Sequence, residues 1–295
     1  MITYDEPADK YHARPAFSAG LAWDIVAPEG CLRLAWHNSA WLNPDYKPVR
    51  DELLDNGTIA HLAALEEHLL EERVVIVHAR DWRSKAAREV RDEAHANGKV
   101  PILFQRDEGS SGPDFQKVMA MRNALRNSPL AAPLLFEAKG NNEVSYDWVD
   151  EYSGVSCKAR ADRIVEEKDT VKLIDLKTAP SASPQYFQRA MAQFGHHLRA
   201  DFYIHGWEKQ DTEKWADYIF VVIQREPPHL VSVFDLDAQA LEWGGKLWRK
   251  AISEFEMAHA GGRWHDYMRD QMIQTVDLPT WAWHQLADRE AAGEL

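Results

Sequence analysis

Three stretches near the middle of the chain alternate apolar and polar residues with a period of two: residues 142–149 (NEVSYDWV), 154–165 (GVSCKARADRIV) and 170–178 (TVKLIDLKT). Side chains of a strand point to opposite faces in turn, so this pattern predicts three strands. The turn-rich DEYSG and EEKD between them predict an antiparallel meander. Helical spacing lies on either side. Ile59, Leu62, Leu65 and Leu69 mark an amphipathic helix within 57–72, and RVVIVHA at 73–79 reads as a short buried strand. Residues 81–99 read as a solvated helix stopped at Asn97 and Gly98, and 114–126 as a further helix. After the meander, Ser183 and Pro184 make a helix start. Phe187, Met191, Phe194, Leu198 and Phe202 continue it as one apolar stripe, which predicts a single helix through Phe202. Strands at 215–223 and 229–236 and a helix over 237–260 follow. Residues 1–50 carry prolines and tryptophans with weak periodicity and read as irregular, with one short helix near CLRLAWHNSAWL. The fold class expected is α/β (α+β): a mixed central sheet with helices on both sides and N-terminal additions. The expected divisions are an N-terminal extension over 1–50, a main domain over 51–260 and a tail over 261–295.

Composition narrows this little and charge somewhat more. The 295 residues are 45% hydrophobic and 27% charged, as in ordinary globular chains, so disorder is not expected. No run approaches the roughly 20 apolar residues of a membrane span, and the N-terminus lacks a basic-then-apolar leader, so the expected location is cytoplasmic. Two cysteines exclude a disulfide framework, a four-thiolate zinc site and an iron–sulfur cluster. Any metal must be held by oxygen and nitrogen. A net charge of -13 argues against nucleic-acid binding by bulk electrostatics. A local basic groove still suffices, because screening limits surface charges to about 8 Å.

The chemistry lies in the hairpin. Asp175 and Lys177 are two apart on one strand and share a face, while Asp162 ends the preceding strand with Lys158 and Arg160 on its own face. A hairpin closing at 166–170 lets Asp162 and Asp175 approach, and two carboxylates brought together need a proton or a cation between them. An oxygen-rich site of this kind suits magnesium, with manganese as a substitute. Lys177 beside it would orient or deprotonate a water, or offset charge on an attacked phosphate, which is metal-assisted phosphodiester hydrolysis. Taken alone, a D-x-K pair more often marks a solvated sheet face. Lys158, Arg160, Arg163 and Arg189 make a phosphate-binding groove plausible, with Arg160 the best placed because it shares a face with Asp162. Arg83, Lys85, Arg88 and Arg91 are interleaved with acids and read as a solvated helix face.

The stretch GVSCKARADRIVEEKDTVKLIDLKTAPSASPQYFQRAMAQFGHHLRADFYIHG resembles the core of the phage and prophage exodeoxyribonuclease VIII-like (RecE-type) nucleases of the PD-(D/E)XK superfamily. GTIAHLAALE, NNEVSYDWVDEYSG and VVIQREPPHLVSVFDL extend the likeness over roughly residues 50 to 250. The resemblance implies Asp162 and Asp175 as metal ligands, the Leu176 carbonyl as a backbone ligand, His61 as a further ligand and Lys177 as the catalytic lysine. It also implies a place for Glu143 at a second metal, directly or through water. As a bare residue, His61 reads first as a partly buried or surface helix histidine, and Glu143 reads nearly as well as a strand-edge charge beside a turn. One departure stands out: where the family carries Gln four residues before Tyr, this chain has Arg199 before Tyr203. An arginine has five donors and no acceptor, so either it clamps a phosphate more strongly than an amide would or the activity is altered.

The activity implied is a magnesium-dependent exonuclease that degrades linear double-stranded DNA from 5′ to 3′, leaving 3′ single-stranded tails for recombination. Its partners would be DNA ends, a single-strand annealing protein and further copies in a toroidal homo-oligomer. Two other readings stay open: a non-catalytic DNA-end-binding protein, and a nuclease of the same fold acting on single-stranded or branched DNA.

Overall fold

Val144, Tyr146 and Trp148 alternate with polar neighbours and are all buried, and the burial of such faces against helices organises the chain. The structure, a computed structural model, describes residues 1–4, 6–47, 52–107, 114–210, 213–268 and 273–295. In chain order the elements are β1 (Ile2–Thr3), α1 (Ala8–Ala13), α2 (Ala19–Val26), α3 (Leu32–His37), α4 (Glu52–Leu65), α5 (Leu70–Arg73), β2 (Val74–Val77), α6 (Lys85–Ala96), β3 (Val100–Leu103) and α7 (Phe115–Asn127). They continue with β4 (Gly140–Val149), β5 (Ser156–Glu166), β6 (Thr170–Ala179), α8 (Pro184–Phe194), α9 (His196–Glu208), β7 (Trp215–Gln224), β8 (Val231–Phe234), α10 (Ala238–Gly261) and α11 (Thr280–Ala291).

Six strands form one mixed sheet in the order β1-β4-β5-β6-β7-β8. The expected meander is present as β4, β5 and β6, antiparallel throughout. β6 then pairs in parallel with β7, and β8 closes the edge antiparallel. Parallel neighbours need a crossover, which α8 and α9 supply. On one face Tyr146, Trp148, Leu173, Phe220 and Val222 share a core with α2, α9 and α10. On the other, Val165, Ile174, Leu176, Val221 and Ile223 pack with α4 and α7. Fully buried Phe202, Phe220, Trp248 and Phe255 anchor the first core, each side chain worth about 1.5–3 kcal/mol of transfer free energy.

The structure departs from the sequence pattern at three places. The described residues before 48 are not irregular: β1 extends the sheet, and Phe17 and Ala22, both 0% exposed, belong to the α9–α10 core. Their signal is weak because each element is short. The expected boundary at 50/51 falls outside the described residues. RVVIVHA does contain a strand, β2, but it pairs in parallel with β3 in a separate two-stranded sheet. The Pro in VPIL argues against a strand there, and β3 tolerates it within so short a ladder. The stripe from Phe187 to Phe202 is two helices, broken at Gly195 with φ 66°.

Candidate active site

The site begins where the sheet opens. β5 and β6 pair from Glu166↔Val171 down to Arg163↔Ile174 and no further, although Asp162 and Asp175 are the next partners in register. There the Leu176 N–H donates to the Asp162 carboxylate at 2.8 Å in place of a ladder bond. β6 itself stays straight because β7 holds it from the other side, pairing Asp175 with Phe220 and Lys177 with Val222. The fork between β5 and β6 therefore carries a carboxylate at its apex.

A second irregularity aims the neighbouring strand. Val144 and its partner Ala161 lie in the α9–α10 core, yet Asn142 bonds the Leu65 carbonyl and Arg163 the Leu134 carbonyl, on the α4–α7 side. Both strands thus change face at Glu143 and Asp162. Glu143 makes the change at φ 52°, a left-handed conformation uncommon for any residue but glycine. The two acids sit side by side at this kink.

His61, Glu143 and Asp162 each present a donor atom, and all three atoms lie within 4.8 Å of one another. His61 comes from α4, which is held over the fork: its Nε2 bonds the Leu176 carbonyl at 2.7 Å. With Nε2–H as donor, Nδ1 turns a lone pair toward Asp162 Oδ2, 3.6 Å away. Lone pair facing carboxylate is repulsive unless a proton or a metal cation lies between them. Three donor atoms this close together would hold a small divalent ion among them. The donor set of two carboxylates, an imidazole and an adjacent carbonyl fits a small divalent ion.

Electrostatics point the same way. Burial raises the Asp162 carboxyl, Asp175 adds to the rise, and His61 opposes it. Burial also raises Glu143, followed by the charge of Asp162, with Arg160 opposing. Such a pair favours a proton or a cation. Asp175 differs. Burial would raise it, but Lys177 and then Arg199 outweigh burial and hold it below the usual carboxylate range. Lys177 Nζ lies 2.6 Å from Oδ1 and 2.5 Å from Oδ2 of Asp175, yet the buried Oδ2 accepts no aligned hydrogen bond. That oxygen keeps lone pairs for a further cation. Asp162 thus joins His61 and Glu143, and Asp175 faces Lys177 while its charge still bears on Asp162.

Arg199 and Tyr203 emerge from α9 on the Asp175 side. Burial would depress the Arg199 guanidinium, but Tyr203 and Asp175 more than compensate and keep it cationic. Burial pushes the Tyr203 hydroxyl up to about 12 against the pull of Arg199. Among the described residues the Arg199 side chain has no hydrogen-bond or ion-pair partner, so its donors remain available.

Of the other expected phosphate contacts, Arg189 is exposed on α8, while Lys158, Arg160 and Arg163 are already engaged. Lys158 is buried, and its Nζ bonds the backbone carbonyls of Tyr11 at 2.8 Å and Arg14 at 2.6 Å. Burial, and then the charge of Arg14, brings this ammonium down to about 8 against the pull of Asp147 and Glu6. Arg163 bonds the Leu134 and Ala138 carbonyls and Asn142. A buried cation with its donors spent on protein oxygens cannot also meet DNA, so both serve the fold. Arg160 bonds Glu143 and the Glu6 carbonyl. Sequence reasoning missed Tyr11 and His196. Tyr11 lies some 150 residues before Arg160 in the chain, and nothing local marks it. His196 is marked only by the HH pair after Gly195.

Comparison with known proteins bears on this arrangement. A family model described as "PDDEXK-like domain of unknown function" matches residues 33–271. Among solved structures, a protein from Eubacterium rectale described as "Putative exonuclease" superposes with a TM-score of 0.61 at 10% identity, covering 95% of this chain and 98% of that one. SSO0001 superposes at a TM-score of only 0.30 with 16% identity, over 69% of this chain and 86% of its own, and carries no argument. No curated protein sequence matches. Among the described residues no helix is long and apolar enough to cross a membrane.

Proposed function

The chain belongs to the PDDEXK-like domain family, and from that membership we propose that it is a divalent-metal-dependent deoxyribonuclease that degrades linear double-stranded DNA from its ends. The observation that carries the reading is the convergence of His61, Glu143 and Asp162 beside the Asp175–Lys177 pair. A merely binding surface has no use for concentrated carboxylates against a polyanion. The name of the Eubacterium rectale neighbour agrees with an exonuclease.

His61, Glu143 and Asp162 would hold magnesium, or manganese in its place, with the Leu176 carbonyl and Asp175 at its edge. When bound, the ion supplies a Lewis acid for the phosphate and lowers the pKa of a bound water. The chain's own residues do the positioning. Asp175 holds the Lys177 ammonium at the fork, where it meets the attacking water or the charge developing on the phosphate. Arg199 binds a non-bridging phosphate oxygen with donors that no group among the described residues occupies. Tyr203, protonated up to about pH 12, stays a hydrogen-bond donor throughout. The polarity of 5′ to 3′, the 3′ tails, a role in recombination with an annealing protein and a ring-shaped oligomer rest on the resemblance noted in the sequence.

The test uses end-labelled linear duplex and a closed circle of the same sequence, incubated with magnesium. Linear DNA is degraded and the circle spared, with Asp162→Asn, Asp175→Ala and Lys177→Ala each inactive. Equal attack on the circle removes the exonuclease reading. Unchanged activity in the three variants removes the catalytic assignment. Duplex binding without metal-dependent cleavage replaces the enzyme with an end-binding protein.

A further inference from the structure

We propose that residues 6–14, which precede the segment matched by the family model, form a strap that sets Glu143 in the metal site through Arg160 and so governs how tightly the ion is held. The inference rests on the metal site proposed above.

Arg160 is the link. Its side chain is 9% exposed, and its guanidinium divides between two partners: Nε meets Glu143 Oε2 at 2.7 Å and Nη1 meets the Glu6 carbonyl at 2.8 Å. Its Cζ stands 5.6 Å from the Tyr11 ring centroid, and Tyr11 itself is 6% exposed. The strap thus touches Arg160 through a backbone oxygen and an aromatic face. It is itself tied down. Lys158 gathers the Tyr11 and Arg14 carbonyls at 2.8 and 2.6 Å and lies 4.9 Å from the Tyr11 ring. Arg14 pairs with Asp147 at 2.6 Å and with Glu6 at 3.0 Å.

Glu143 needs this support. Its positive φ of 52° is disfavoured, and the ladder between β4 and β5 skips it, so its own strand does little to aim the carboxylate. Arg160 supplies the direction with a charge-assisted bond. Outer partners that orient ligating side chains typically account for about 10–100-fold in metal affinity. A fork of fixed geometry bridges carboxylate and carbonyl together, and a lysine's single ammonium does so poorly.

The experiment titrates manganese alone into the full chain, following free ion by electron paramagnetic resonance, with thermal melting of the metal-free proteins in parallel. Arg160→Lys and Tyr11→Ala bind manganese about tenfold more weakly than wild type. Tyr11→Phe, which keeps the ring under Arg160, binds as wild type does. Asp162→Asn serves as the reference without a site. Unaltered manganese affinity in Arg160→Lys and Tyr11→Ala, with affinity lost in Asp162→Asn, overturns the strap's role and leaves the nuclease reading standing. A wild-type chain that takes up no manganese overturns both. Should Tyr11→Ala fail to melt cooperatively, Arg160→Lys decides the matter.

Discussion

His196 shows how far burial can dominate a single group next to a charged site. Its ring lies nearly parallel to Phe187 at 5.8 Å and 15°, and its buried Nδ1 has no hydrogen-bond partner among the described residues. Burial first, then the charge of Lys177, brings the imidazole down to about 3. An unfolded chain takes up this proton near pH 6.5, while the folded one refuses it until about 3. The contribution is therefore complete above pH 6.5 and is lost progressively as pH falls toward 3. Urea unfolding of the metal-free protein across this window should show His196→Phe with a shallower loss, by about 1.4 kcal/mol per pH unit, the worth of one proton. Arg199 is tested by its salt signature. Arg199→Met should weaken binding of duplex ends at every sequence and reduce the slope of log K against log salt by about 1, read by fluorescence anisotropy.

Between elements, the junction of α8 and α9 is the tightest constraint that the apolar stripe concealed. Phe187, Leu198 and Phe202 are buried, but Phe194 is 49% exposed, because Gly195 turns the chain between them. A Cβ at Gly195 would sit 2.3 Å from the Trp23 ring, on a backbone with φ 66°. Gly195→Ala should cost at least about 2 kcal/mol, since left-handed strain alone costs roughly 1–2. Calorimetry would register a fall in Tm of some 4 °C or more. The kink at Glu143 and Asp162 left a faint trace in the sequence: Cys157, Ala159 and Ala161 keep step, and the next apolar residue is Ile164, one position out of phase. Only the pairing register shows that the neighbouring strand slips at the same level.

Over the whole molecule, stability is distributed unevenly between the two ends of the chain. Phe17 and the strap are woven into the core and the site, whereas α11 has no buried residue and Trp281 is 64% exposed. Removing residues 273–295 should leave Tm within about 2 °C of wild type, because almost no apolar area returns to water. A fall of about 6 °C or more would show that α11 is packed in solution.

Period, composition and motif order, all local properties, determined the strands of the meander, most of the helices, the exclusion of a thiolate-built metal site and the candidates Asp162, Asp175 and Lys177. Tertiary structure alone decided which acids meet. Register places Asp162 opposite Asp175, and the opening of the fork and the paired face change add Glu143 and His61 beside Asp162, while Lys177 pairs with Asp175. The cause is physical: a strand's alternation states which side a residue takes only while the ladder is regular, and this site is built where two ladders break. For the same reason Tyr11 and the Glu6 carbonyl were invisible, since contacts some 150 residues apart leave no imprint on local spacing.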